Sequence, residues 1–298
     1  MRNIKVLLSA LRHPWMIHPD VVDHYALIAA KIFSGEPVAW FDDEDEEKEK
    51  EFAWIVDASG KRIGGIEDAL NSGVAVINIR GAMMKYDYCG SPGTETLAKT
   101  LAQANENPSI NSVLFNIDSP GGSVDGTQKF ANAIKNSDKP VVGFVNGMMA
   151  SAAMWIGSAM QTRIASSNTD VIGSIGTMAS WYDSTGYMEK IGFKRHEVYA
   201  TASTHKNIQF REAQGNNQDK TPNYDPMIKT WLDPLNGEFT GAIEKNLPDV
   251  DKTVLNGSHY IAKEAKQKGL IDKIGDFELA VSTAMKLGKE NQTLKFAI

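Results

Sequence analysis

From residue 73 onward the chain alternates short apolar runs with longer stretches of helical period. The apolar runs fall at residues 74–79, 113–117 and 141–145, and helical patterns follow them at 94–105, 124–135 and 151–160. Strands and helices in that order predict right-handed crossovers and a largely parallel sheet, an α/β architecture. Further strands are expected at 162–165, 177–181 and 197–200, with a helix at 184–191 between the last two and a longer helical section after Pro226. Residues 261–268 carry an alanine-rich helical pattern that Gly269 stops, and 270–275 read as a short strand and turn before a final helix at 277–287. Residues 1–70 read differently, as a mainly helical amino-terminal extension. They hold a helical pattern at 20–33, an acidic linker and a turn-rich section through Gly60 and Gly64-Gly65, so the main domain is expected at 71–298.

Composition narrows the function classes. A chain of 298 residues with 42% hydrophobic content can bury one large core or two modest ones. Its net charge of −6 is carried by residues 42–51, where eight acidic and two basic side chains give 2 − 8 = −6, and such a run reads as a solvated linker. The remainder is balanced and has no lysine or arginine cluster to neutralise phosphates, so a nucleic-acid partner is not expected. Cys89 is the single cysteine; it cannot form an internal disulfide, which favours a reducing, cytoplasmic setting. Residues 6–11 are too short an apolar stretch for a secretion signal and end at Arg12-His13-Pro14. Residues 141–160 lack charge over a bilayer-spanning length. However, Gly143, Asn146, Gly147, Ser151, Gly157 and Ser158 make a poor lipid-facing helix, so a buried strand followed by a buried helix is expected and no membrane span. No HExxH pattern or Cys/His cluster points to a metal, and no cofactor is expected.

Two glycine-marked segments carry the candidate chemistry. The first, Asp118-Ser119-Pro120-Gly121-Gly122-Ser123, follows an apolar run, and its adjacent glycines let a carbonyl approach main-chain N–H groups without interference from a Cβ. The second, Gly147-Met148-Met149-Ala150-Ser151-Ala152-Ala153, opens a small-residue helix with Ser151 at its start. Fixed amide donors beside a serine hydroxyl are what acyl transfer requires, since the developing oxyanion must meet preplaced hydrogens. Ser151 taken alone also reads as a helix cap. Ser119 and Ser123 are rival nucleophiles that flank the proposed donors. Lys206, 55 residues beyond Ser151, is a candidate base, a role that demands desolvation of its ammonium. His205 competes with it, because a Ser–His pair is the commoner way to activate serine. In an extended loop the two neighbours would point in opposite directions and not serve one hydroxyl.

The motifs DSPGGS, GMMASAAMW, VIGSIGT and THKN, together with VLNGSHYIAKEAKQKGLIDKIG, closely resemble the signal peptide peptidase A family of Ser/Lys serine peptidases, which includes head-maturation proteases of tailed phages and prophages. The likeness spans about residues 73–287. It implies a ClpP/crotonase-like fold of repeated β-β-α units, with Ser151 as nucleophile, Lys206 as general base and Ser174 orienting the lysine. It also implies oxyanion donors at Gly121 or Gly122, helped by the N–H of Ala152. Many members have glycines directly after the nucleophile; Ala152 and Ala153 stand here, which should narrow the local turn. The resemblance further implies an extended protein or peptide substrate lying between the Gly121-Gly122 edge and the segment after Gly173, with small or apolar residues near the cut, and a homo-oligomer. The expected substrates are capsid or scaffold proteins in an assembling procapsid, ahead of signal-peptide or general peptide degradation. A crotonase-type acyl-CoA enzyme and a non-catalytic structural head protein are the remaining alternatives.

Overall fold

The computed structural model describes residues 15–17, 52–66, 73–87, 91–181, 183, 185–194, 196–215 and 221–296. The helical pattern at 20–33, the acidic run and Cys89 lie outside the described residues. Three parallel strands form the centre of the main sheet: β4 (Gly73–Arg80), β5 (Ile110–Ser119) and β7 (Val141–Ala150), which follow β1 (Trp15–Ile17), β2 (Ala53–Val56) and β3 (Arg62–Gly64) and have β6 (Gly121–Ser123) among them in sequence. Helix α1 (Thr94–Glu106) connects β4 to β5, and α2 (Thr127–Lys135) lies between β6 and β7, so the expected crossovers are present. After β7 come α3 (Ala152–Ser158), β8 (Thr162–Ala165), β9 (Val171–Gly173), α4 (Thr185–Lys190) and α5 (Ile208–Ala213). A helix then runs from α6 (Asp225–Met227) through a π turn at Ile228–Leu232 into α7 (Asp233–Asn246). The chain closes with β10 (His259–Ile261), α8 (Ala262–Gln267), β11 (Lys273–Ile274) and α9 (Phe277–Phe296). β2 and β3 add antiparallel strands outside β4, so the sheet already begins within the first 70 residues.

The middles of the central strands are mostly apolar because both of their faces are covered, and the buried exceptions Asn78 and Asn116 satisfy each other, with Asn116 Nδ2 donating to Asn78 Oδ1 at 2.8 Å. Val74, Val76, Leu114, Val142 and Phe144 pack with Ala280, Val281 and Ala284 of α9. Their alternate neighbours, Ala75, Ile77, Phe115, Ile117 and Val145, turn to the other face and meet Leu97, Leu101, Phe130 and Ile156. Phe130 of α2 contacts Phe115 edge to face at 5.7 Å, and Trp155 of α3 stacks on Phe239 of α7 at 4.9 Å. Such pairs add about 1 kcal/mol each beyond their burial, which fixes α2 against β5 and α3 against α7.

At that end β7 changes partner. Its first half pairs with β5 and β8, and its last three residues pair with β9, in the register Met148↔Val171, Met149↔Ile172 and Ala150↔Gly173. The β5 ladder meanwhile passes from Ile117↔Val145 directly to Ser119↔Met149, leaving residues 146–148 opposite Asp118 as a bulge. Gly147 is required there. Its φ is +124°, and a Cβ would stand 2.7 Å from Asp118 Oδ1. The strand therefore continues to Ala150 where the apolar pattern placed its end at 145 and a turn at Gly147. Residues 177–181 and 197–200 form no strand, in contrast to the expectation from sequence; Val198 is almost fully exposed and has no face to bury. Beyond β7 the sheet is continued by the three-residue β9, too short for its alternation to be read, and ends on β10, which pairs antiparallel with β9.

Candidate active site

Ser151 occupies the single residue between β7 and α3. Its backbone is held by Ser151 N–H donating to Gly173 C=O at 2.7 Å and by Trp155 N–H donating to Ser151 C=O at 3.0 Å. Between these anchors it adopts φ 53° and ψ −118°, a conformation costing a non-glycine residue on the order of 1–3 kcal/mol. Serine in the helix-capping role has an extended backbone and a hydroxyl bonded to an amide of the first turn. Ser151 has neither: its side chain makes no capping hydrogen bond, although the residue is only 1% exposed. A serine raised on a strained strand-to-helix turn is the geometry of an activated nucleophile.

The structure separates Ser151 from its two rivals. Ser119 Oγ donates to Gly81 C=O at 2.7 Å and accepts from Gly121 N–H at 3.2 Å, while Ser123 Oγ accepts from Asp125 N–H at 3.2 Å. Both hydroxyls hold the turn between β5 and α2. Met83 runs beside β6, with its N–H on Gly121 C=O and its C=O taking Ser123 N–H, both at 2.8 Å. Backbone groups alternate in direction along a strand, so the N–H of Gly122 faces the opposite, outer edge. Of the two expected glycine donors, Gly121 is engaged with Ser119 and Gly122 is turned outward. Gly122 has no room for a side chain, because a Cβ would lie 1.9 Å from Met83 O. Ala152, the first residue of α3, is fully buried, and its N–H precedes any intrahelical acceptor.

Ser174 lies one residue past Gly173, the partner of Ala150, as Ser151 lies one residue past Ala150. The two serines thus stand at adjacent strand ends. Ser174 also has a positive φ, 54°, is 9% exposed, and donates its N–H to Ser258 C=O at 2.7 Å. A cavity of about 550 Å³ opens beside it, lined among others by Ile175, Met178, Leu232, Leu255 and His259. Asp118, given no role from sequence, sits at the bulge; burial pushes its carboxyl above the ordinary range, partly offset by a hydrogen bond from Met148 N–H.

Lys206 and His205 are both exposed, and among the described residues no hydrogen bond joins Lys206 to Ser151 or Ser174. The segment is not extended. Ser203 N–H donates to Ala200 C=O and Lys206 N–H to Ser203 C=O, which winds residues 200–206 into consecutive turns. Strand-like alternation therefore does not separate His205 from Lys206, and that part of the sequence argument fails. Among the described residues no three His, Cys, Asp or Glu side chains cluster as metal ligands, and no helix is long and apolar enough to cross a membrane.

Comparison with known proteins supplies the decisive observation. The model of Peptidase family S49 matches residues 133–291, just over half of the chain, and spans Ser151, Ser174 and Lys206. The chain belongs to peptidase family S49. Relatives of this member of family S49 include Protease 4 of Haemophilus influenzae, 27% identical and aligned over 74% of this chain and 35% of its own length. Two phage proteins are also similar. The head-tail preconnector protein GP5 of Enterobacteria phage P21 is 27% identical over 76% of this chain and 45% of its own, and the capsid assembly protease C of Escherichia phage lambda is 26% identical over 68% and 46%. The chain thus spans less than half the length of each. Gly121 and Gly122, on β6, precede the S49 match.

Proposed function

We propose that the protein is a serine endopeptidase in which Ser151 is the nucleophile, Lys206 the general base and Ser174 the group that orients the lysine amine. The observation that carries this reading is the strained, buried and uncapped backbone at Ser151. Strain of this kind persists only where the surrounding fold imposes it, and it aims the hydroxyl away from a capping role. The Ser151 hydroxyl attacks a peptide carbonyl as the neutral amine of Lys206 takes its proton. The oxyanion is received by the N–H groups of Gly122 and Ala152. Lys206, now an ammonium, protonates the departing amine, leaving an ester on Ser151 that water hydrolyses.

Lys206 is exposed, and a general base needs its amine taken out of water, so the reading requires a surface that closes over it. A second copy of the chain in a homo-oligomer supplies that cover. The substrate is an extended protein segment bonded to β6 as an added strand, with small or apolar side chains favoured near the cut. Capsid or scaffold proteins are the substrates we favour, on the strength of the similarity to the phage head-tail preconnector protein and capsid assembly protease. The direct test compares cleavage of denatured casein by the unmodified protein, Ser151→Ala and Lys206→Ala. Both variants are expected to lose at least about a thousandfold in rate. Equal activity in all three removes the dyad, and loss confined to His205→Ala installs a Ser–His pair instead.

A further inference from the structure

The outer edge of β6 is already occupied. β1 pairs antiparallel with β6 in the register Trp15↔Ser123, Met16↔Gly122 and Ile17↔Gly121. Because Gly121 C=O and Ser123 N–H are both bonded to Met83, the residue of β6 that turns its N–H and C=O toward β1 is Gly122. The central backbone pair is therefore Met16 with Gly122, and it covers the amide assigned above to the oxyanion. We propose that Trp15–Ile17 is a built-in occupant of the peptide edge, bound where an extended substrate must bind, so that substrate enters by displacing it. This rests on the peptidase reading of the site only for its consequence in catalysis; the pairing itself stands on strand register.

The occupant is suited to displacement. It is three residues long, one central backbone pair fastens it, and it belongs to the same chain, so its competition does not depend on protein concentration. An incoming peptide makes the same main-chain bonds and extends beyond three residues, which gives it the advantage. A segment holding the edge nine-tenths of the time would weaken apparent peptide affinity about tenfold, since only the open fraction binds.

The experiment uses Met16→Pro, which deletes the N–H that Met16 presents to Gly122 and alters no residue of the site. In the Ser151→Ala background, where nothing is hydrolysed, affinity is measured for an acetylated peptide with the sequence of residues 13–19. Met16→Pro is expected to tighten its binding about tenfold. Amide exchange supplies a second readout needing no peptide: Gly122 is expected to be protected in the unmodified chain and to lose protection in Met16→Pro, while Ser123, bonded to Met83, keeps its own. Unchanged affinity, or a Gly122 amide that exchanges freely in the unmodified chain, overturns the proposal. With Ser151 present, the same substitution is expected to lower KM for casein and leave kcat unchanged. Tighter binding with no hydrolysis by either protein upholds the occupant and discards the peptidase reading.

Discussion

Replacing Ser151 by glycine is expected to stabilise the protein and abolish hydrolysis together. Glycine adopts φ 53° and ψ −118° freely, so the substitution releases the strain of on the order of 1–3 kcal/mol and loses about 0.5–1 kcal/mol to the greater freedom of the unfolded chain. The net gain is about 1 kcal/mol, or about 2 °C in melting temperature for a chain of this size. Removing the hydroxyl should reduce casein cleavage at least about ten thousandfold. Ser151→Ala removes the same hydroxyl but keeps a Cβ in the strained conformation, and it should lose activity without the rise in melting temperature. A stability gain in glycine alone identifies a position whose residue is retained for chemistry at a cost to the fold. A melting temperature lowered by Ser151→Gly, or hydrolysis retained by it, contradicts the assignment.

Gly122→Ala is expected to do the opposite and damage fold and site at once. The new methyl would fall 1.9 Å from Met83 O and 2.6 Å from Met83 C and N, all backbone atoms that no rotamer change can move aside. Relief requires β6 to separate from Met83, which breaks the 2.8 Å bonds on both sides of Gly122 and shifts its amide. We expect a loss of about 3 kcal/mol, from overpacking at a site that cannot relax. Surviving folded protein should show about a hundredfold lower kcat, from displacement of the oxyanion donor proposed at Gly122. Gly241→Ala is the control: this exposed glycine of α7 has nothing within 4 Å of its Cβ position, and alanine there should stabilise by about 0.5–1 kcal/mol with activity unchanged. Thermal melts of the two variants beside casein assays separate these outcomes.

The legibility of this fold follows burial. Residues 74–79 and 113–117 were readable as central strands because α9 covers one face and α1 to α3 the other, so every position but Asn78 and Asn116, which bond to each other, is apolar. Residues 146–150 were not, because β7 leaves β5 through a bulge and takes β9 as its partner, and a strand that changes neighbour carries no single period. The three residues of β9 are too few to show one, and residues 197–200 resembled a strand although Val198 stands almost fully exposed.

The same division runs through the site. The turns at Gly121-Gly122 and before Ser151 were legible because small residues and paired glycines mark places where backbone must approach closely. The strain at Ser151, and the bonds that assign Ser119 and Ser123 to the turn, depend on contacts between segments distant in sequence and left no local signal. At Lys206 the motif pointed to a residue, but the geometry around it, a run of turns in place of an extended loop, is set by backbone bonds that the composition of THKN does not encode. The strand at Trp15–Ile17 was missed for a related reason: its partner lies more than a hundred residues away, and three residues cannot announce a pairing.

The measurement that bears most directly on the central claim is labelling of the protein with a fluorophosphonate, followed by peptide mass spectrometry to locate the adduct. A strained, uncapped hydroxyl beside preplaced amides should capture the phosphonate at Ser151 in a time-dependent manner, and Ser151→Ala should remain unlabelled. Adduct on Ser119 or Ser123, or none at Ser151 in protein that cleaves casein, would contradict the account.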